Sequence, residues 1–282
     1  MNSKNIVLNG KFVDLSNPIV MAIVNITPDS FYSGNRCLDE KLFLSATEKA
    51  LQEGATIIDI GAYSTRPGAP IVTETEELER ISGALKSIRK HFGNIPISVD
   101  TFRSAVATCA VQEFDIAVIN DVSGGELDEE MFNTVAKLNV PYILMHMRGT
   151  PQTMQKNNNT QYNNFLPEVL QYFAQKIELL RALNFTKEII IDPGFGFAKT
   201  IEQNYELLRN LSIFDTFNMP ILVGVSRKSM IYKLLNSSPE ESLSATAAVN
   251  MLALEQGAHI LRVHDVKAAM EVIALYKAYK GN

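Results

Sequence analysis

The sequence predicts an α/β fold, a single (β/α)8 TIM barrel. Three observations carry that reading. Eight short Val- and Ile-rich runs recur along the chain, helix-like stretches separate them, and no Pro/Ser-rich linker divides the 282 residues. A doubly wound open sheet is the alternative, because periodicity reports the strands and not their closure.

The elements follow in order. Residues 1–18, MNSKNIVLNGKFVDLSNP, read as an N-terminal extension, with lysines but no apolar core of signal-peptide length. The barrel is assigned to residues 19–282. Its first strand is IVMAIVNIT from Ile19, followed by the helix EKLFLSATEKALQEG from Glu40. TIIDIGA from Thr56 precedes TEELERISGALKSIRKHFG from Thr75, whose apolar residues repeat at the helical spacing of about 3.6. PISVDT from Pro96, AVINDVSG from Ala117 and PYILMHM from Pro141 are the next strands. The Asn/Gln-rich KNNNTQYNN from Lys156 reads as a solvated loop, with a loop that covers a site as the alternative. EIIIDPG from Glu188, MPILVGVS from Met219 and HILRVHD from His259 complete the strands, and DVKAAMEVIALYKAYK forms the last helix.

Composition excludes several classes. With 46% apolar and 20% charged residues and a net charge of -5, the chain is neither a disordered tail nor a basic nucleic-acid binder. No apolar run approaches the length that spans a bilayer. Cys37 and Cys109 are distant and lie in no metal-ligand spacing, and the histidines form no HExxH, so there is no zinc signal. A reduced, cytoplasmic setting is the expectation.

Near the C-terminal end of the apolar runs stand Asn25, Asp100, Asn120, His146, Asp192, Ser226, Arg262 and His264. A charged group inside a strand costs several kcal/mol unless it is paired or meets a ligand, and in a (β/α)8 barrel these ends converge on the catalytic face. Individually they have plainer explanations. Asp59 is expected to pair with a base inside the barrel, Asn120 and Asp121 suit caps of the turn before the next helix, with a ligand contact as the alternative for Asn120, Asp192-Pro193-Gly194 suits a turn, and His146 suits a hydrogen-bonded core histidine. GFGFAKT from Gly194 lacks the third glycine of a dinucleotide fingerprint and the Gly-Lys pair of a phosphate loop, and is set aside. SRKS from Ser226 leaves the seventh strand and opens a helix, so amides, a hydroxyl and two cations are expected at one anion-binding spot, or else form a plain cap.

NITPDSF at Asn25, DIGAYSTRPGA at Asp59, SVDT at Ser98, INDVSGG at Ile119, MHMRGTPQTMQ at Met145, DPGFGF at Asp192, SRKS at Ser226 and RVHD at Arg262 together resemble the dihydropteroate synthases, over about Ile19 to Val266. Two places depart from that family's pattern: Ala62 and Tyr63 stand where Gly and Glu are usual, and Tyr32 to Asn35 differ after TPDSF.

The resemblance implies a transferase of folate biosynthesis that joins 4-aminobenzoate to 6-hydroxymethyl-7,8-dihydropterin diphosphate, releasing pyrophosphate through an SN1-like cationic pterin. It implies sulfonamide sensitivity and a homodimer. Asp192, Asn120, Asp100 and Lys228 would read the pterin edge. Asn25, Arg262 and His264 would form the anion site, with Asn25 also a ligand of Mg2+. Thr65 and Arg66 would steady the leaving pyrophosphate, while Phe31, Pro67, Phe197 and Ser229 would line the aryl-amine pocket, Ser229 meeting the carboxylate. The partners are these two small substrates, with no nucleic acid and no membrane. A methyltetrahydrofolate-dependent methyltransferase, which would not need STRPG or SRKS, and a non-catalytic pterin-binding protein are the rival readings.

Overall fold

The structure is a computed structural model that describes residues 4–26, 36–63 and 72–281, without the side chains of 36–39 and Asn157. Within residues 4–18 it contains a feature the sequence reading did not place. Strands β1 (Asn5–Leu8) and β2 (Lys11–Asp14) pair antiparallel around Asn9-Gly10. Both turn residues have positive φ, 48° and 72°, the tight mirror-image turn whose twist matches a hairpin. Ile6, Leu8 and Leu15 from this segment pack with Met21, Ile57, Val118, Ile143, Ile190, Leu222 and Ile260. The hairpin therefore plugs the end of the barrel where the strands begin.

The barrel strands are β3 (Ile19–Asn25), β4 (Ile57–Gly61), β5 (Ile97–Asp100), β6 (Val118–Asp121), β7 (Tyr142–Met145), β8 (Ile189–Asp192), β9 (Leu222–Val223) and β10 (Ile260–Val263). All pair parallel, in the order β8-β7-β6-β5-β4-β3-β10-β9. A parallel bridge between Ile191 and Ile221 joins the last gap, with the Ile191 N–H donating to Pro220 O at 2.8 Å. That contact excludes the open sheet.

Helices cover the outside: α1 (Arg36–Gln52), α2 (Glu74–Phe92), α3 (Ser104–Phe114), α4 (Met131–Leu138), the single turn α5 (Asn157–Thr160), α6 (Phe165–Ala182), α7 (Ile201–Arg209), the single turn α8 (Ser229–Tyr232), α9 (Leu243–Glu255) and α10 (Val266–Lys280). Capping boxes, Thr73 with Glu76 and Thr200 with Gln203, start α2 and α7 by satisfying amides that have no partner within the helix.

The two-residue period of a strand sorts the side chains. Ile58, Ile60, Val99, Ile119, Leu144, Ile191 and Leu261 pack outward in the large core they share with the helices. Their alternates point inward. On β4, β6, β8 and β10 the inward positions read Ile57 then Asp59, Val118 then Asn120, Ile190 then Asp192, Ile260 then Arg262. The barrel interior is thus apolar over the hairpin and polar where the strands end.

Candidate active site

Cross-strand register places Asn25 beside Gly61, Gly61 beside Asp100, and Asp100 beside Asn120. Because Gly61 has no side chain, a Cβ there would stand 3.4 Å from Asp100 Cβ and 3.6 Å from Asn25 Oδ1, so these two groups flank one spot. Across the interior, Arg262 donates from Nε to Asp59 Oδ2 at 2.7 Å and from Nη2 to Asp100 Oδ2 at 2.7 Å. Asn120 Nδ2 donates to Asp59 Oδ2 at 3.2 Å. Asp59 is fully buried and so pairs with a base as expected. Asn120 faces the interior, whereas Asp121 is a turn anchor that accepts from Ser123 N, Gly125 N and the Tyr142 hydroxyl.

On the opposite wall, Asp192 is buried and accepts the Gly194 N–H at 2.8 Å. Lys228 Nζ donates to Phe195 O at 2.6 Å and lies 4.6 Å from the centre of the Phe197 ring. Burial pushes Lys228 down to about 8, partly offset by Asp192. Burial also raises Asp192, against Lys228, the Gly194 N–H, Arg262 and Lys199. Asp100 is pushed up to about 7 by burial despite the attraction of Arg262. Arg262 itself loses hydration, but Asp59 and Asp100 hold it protonated beyond the usual guanidinium range.

The SRKS turn differs from expectation. Arg227 has φ 56°, and its guanidinium turns away to Asp265, with Nη2 2.6 Å from Oδ1 and Nε 3.0 Å from Oδ2. The left-handed backbone at Arg227 thus sends one cation to the β10 loop, and only Lys228 points to the interior. Ser226 Oγ lies 3.1 Å from His264 Nδ1, which ties the same two loops together. Ser229 opens a helix of one turn, so it offers a hydroxyl and local amides rather than a long helix dipole.

Asp100, Asn120, Asp192, Lys228, Arg262 and His264 therefore come to one face with Asn25 and Phe197. Phe31, Thr65, Arg66 and Pro67 lie outside the described residues. Tyr63, one of the two departures, is built into its own contacts: it meets Phe102 edge to face at 5.1 Å, lies 5.5 Å from the Arg103 guanidinium, and its hydroxyl accepts from Gln152 Nε2 at 2.8 Å. The KNNNTQYNN segment is not wholly solvated. It contains α5, and Tyr162 stacks under Arg148 at 3.8 Å and donates to Ala198 O at 2.9 Å, because an aromatic with a polar tip can cover the turn after β8.

The sequence reading missed Lys199. It is buried at 3% exposure beside His146, and its only signal was a lysine following the apolar GFGFA.

This is a closed parallel barrel whose strand carboxyl ends gather carboxylates, two carboxamides and two cations on one face, the face on which barrel enzymes carry their active sites. The family model described as "Pterin binding enzyme" matches residues 21–264, and the chain belongs to that family. A dihydropteroate synthase of Escherichia coli strain K12 is 42% identical over 274 residues, 95% of this chain and 94% of that protein. One from Synechocystis is 44% identical over 255 residues, 90% and 87% of the two chains. The Yersinia pestis dihydropteroate synthase, solved in complex with a sulfonamide drug, superposes with TM-score 0.90 at 38% identity, covering 99% of this chain and 100% of that one. The Xanthomonas albilineans dihydropteroate synthase with 4-aminobenzoic acid gives 0.89 at 34% identity, covering 100% of both chains.

Proposed function

We propose that this chain catalyses the dihydropteroate synthase reaction, joining 6-hydroxymethyl-7,8-dihydropterin diphosphate to 4-aminobenzoate with release of pyrophosphate. The observation that carries the reading is the convergence of Asp192, Asn120, Asp100, Lys228 and Arg262 at the strand ends of a pterin-binding barrel.

A pterin's aminopyrimidinone edge sets N–H donors beside acceptors. Asp192 spends one oxygen on Gly194 N–H and keeps acceptor capacity for the pterin amino and ring N–H groups. Asn120 spends its amide N–H on Asp59, so its carboxamide oxygen is what it offers the substrate. Lys228 spends one of its donors on Phe195 O and has others for the pterin carbonyl and ring nitrogen. Asp100 takes the far side of the ring. Arg262 and His264 are assigned to the diphosphate, with Thr65 and Arg66 as the remaining anion-binding residues.

Cleavage of the C–O bond at the pterin methylene leaves a cation delocalised into the ring, an SN1-like path, and the aryl amine then attacks that carbon. Asp100 and Asp192 are the carboxyls assigned to the pterin ring, and their ionised forms favour the cation. Phe197 is assigned to the aryl-amine pocket together with Phe31 and Pro67, and enclosure by these three side chains would exclude water. Sulfonamides, as aryl-amine mimics, compete for that pocket.

Mg2+ fits as a companion of the diphosphate. Asn25 presents a neutral carboxamide at the exposed end of β3, and among the described residues no three His, Cys, Asp or Glu side chains gather to cage a metal. Asn25 would supply the one protein oxygen to such a hard cation, which would otherwise be bound by substrate phosphate and water and would supply charge neutralisation of the leaving group.

A homodimer in the cytoplasm completes the proposal. Exposed Leu252 of α9 and Leu275 and Tyr279 of α10 support a partner-facing surface. Among the described residues no helix is long and apolar enough to cross a membrane. The deciding experiment is a coupled assay of pyrophosphate release. It should require both substrates, and release that ignores 4-aminobenzoate would sink the reading.

A further inference from the structure

Lys199 sits behind the pterin wall with its ammonium enclosed by protein. It donates to Gly194 O and to Phe197 O at 3.0 Å each, and lies 3.0 Å from His146 Nδ1. An ammonium has three N–H groups, so the cage matches it donor for acceptor. His146, 1% exposed, fits the acceptor role: burial, then the nearby Lys199 and Arg148, hold its imidazole well below its usual pKa and hence neutral.

The cage spans the turn that builds the site. Gly194 follows Asp192 by two residues, Phe195 supplies the carbonyl that receives Lys228, and Phe197 supplies the ring beside it. A buried ammonium costs several kcal/mol, and an apolar residue of similar volume would fill the same space without that cost. No ion pair with a carboxylate offsets it among the described residues. The nearby negative charge is that of Asp192, which favours the charged lysine.

We propose that Lys199 is a positioning residue of the pterin site: its caged ammonium clasps the 194–197 turn and supplies the buried counter-charge to Asp192 when the pterin binds. The inference rests on the reading of Asp192 as the pterin acceptor. Lys199 acts through Asp192 and the turn, and does not touch the substrate.

Burial pushes Lys199 down to about 7, with Lys228 and Arg148 adding to the shift and Asp192 opposing it. The charges acting on it are Asp192 from the end of β8, Lys228 from the start of α8 and Arg148 after β7; its partner His146 packs in turn against Tyr162 after α5 and Tyr172 of α6, and burial keeps both phenols neutral through the working range. Its charge is therefore variable near neutral pH. Coupling of binding equilibria is reciprocal: if a charged Lys199 favours pterin, then pterin must favour a charged Lys199 by the same factor.

The test is calorimetric binding of a non-reactive pterin to the full-length protein, Lys199→Met, Lys199→Arg and Asp192→Asn, over about pH 6 to 9. Lys199→Met is expected to weaken pterin binding about tenfold or more at the acid end, where the parent lysine is charged, and much less at the alkaline end. Lys199→Arg should recover part of the loss without that pH dependence. An equal loss at both ends overturns the proposal, because a purely structural lysine would give it. Should Lys199→Met fail to fold, NMR of 13C-lysine decides on the unaltered protein. Saturation with pterin should raise the pH at which Lys199 loses its proton, and an unmoved titration overturns the proposal. Asp192→Asn separates the two readings. If it binds pterin like the parent, the Asp192 assignment fails. If it binds weakly while Lys199→Met does not, only the role of Lys199 fails.

Discussion

Arg262 on β10 reaches across the barrel interior to Asp59 on β4, Nε 2.7 Å from Oδ2, and the same guanidinium extends to Asp100 on β5 at 2.7 Å. One cation thus serves two carboxylates, and Asp59, fully buried, also receives the amide of Asn120. Both carboxylates cannot be fully compensated in this way. The group that bears the deficit is Asp100, pushed up to about 7 by burial. With its proton lost, Asp100 carries negative charge that Arg262 does not fully compensate, which suits a reaction whose transition state is cationic at the pterin.

A pH dependence of stability follows for Asp100. Its folded-state value lies above the ordinary 3.8, so the folded chain holds this proton more tightly than the unfolded one. The contribution therefore favours folding as pH falls from about 7 towards 4 and is lost as pH rises through about 7. Asp100→Asn removes that dependence. Relative to the parent, its stability should improve by about 2 to 3 kcal/mol between about pH 5 and pH 8, while turnover falls at both. Urea unfolding of both proteins at the two pH values measures it, and a pH-independent difference would contradict the assignment.

Asp192→Asn should weaken pterin binding by about 2 to 4 kcal/mol, since a charge-assisted acceptor becomes partly a misdirected donor. Isothermal calorimetry with pterin alone measures this without turnover. Near-parental affinity would return Asp192 to the bland role of a turn residue.

Gly194 has φ 74°, and a Cβ there would stand 2.1 Å from His146 O, a backbone atom that cannot swing aside. Gly194→Ala should therefore cost about 3 kcal/mol or more of stability and lose pterin binding with it, through a strained φ and a forced separation of β7 from the turn after β8. Thermal unfolding checks the first part. A variant as stable as the parent would mean that the turn can take another path.

Much of this arrangement was legible in the sequence, for a reason visible in β4 and β8. Strand side chains alternate, so Asp59 two places beyond Ile57, and Asp192 two beyond Ile190, had to share the interior with the apolar layer beneath them. The hairpin was legible too, since Asn9-Gly10 between the short runs NIVL and KFVD is a strong turn signal, but it lay in a segment read only as an extension. Arg227 was not. Its side chain goes to Asp265 because the backbone turns left-handed at a residue with no glycine to advertise it. Lys199 was hidden for a different cause: its acceptors are two main-chain carbonyls and a histidine just after β7, and backbone acceptors leave no trace in residue type.

Ser229 allows the aryl-amine end to be tested independently. Its helix is a single turn, with Lys228 in extended conformation at the cap, so a carboxylate there would be held by a hydroxyl, local amides and the nearby ammonium, with little macrodipole. Replacing 4-aminobenzoate by neutral 4-aminobenzamide should cost about 1 to 3 kcal/mol in kcat/KM, and Ser229→Ala a smaller part of the same loss, because the backbone donors remain. Steady-state kinetics of both compounds on both proteins forms a cycle that isolates the contact. If the hydroxyl reads the carboxylate, the alanine variant penalises the acid more than the amide. Equal penalties would leave Ser229 as part of the turn and move the carboxylate's partners to Lys228 and the main chain.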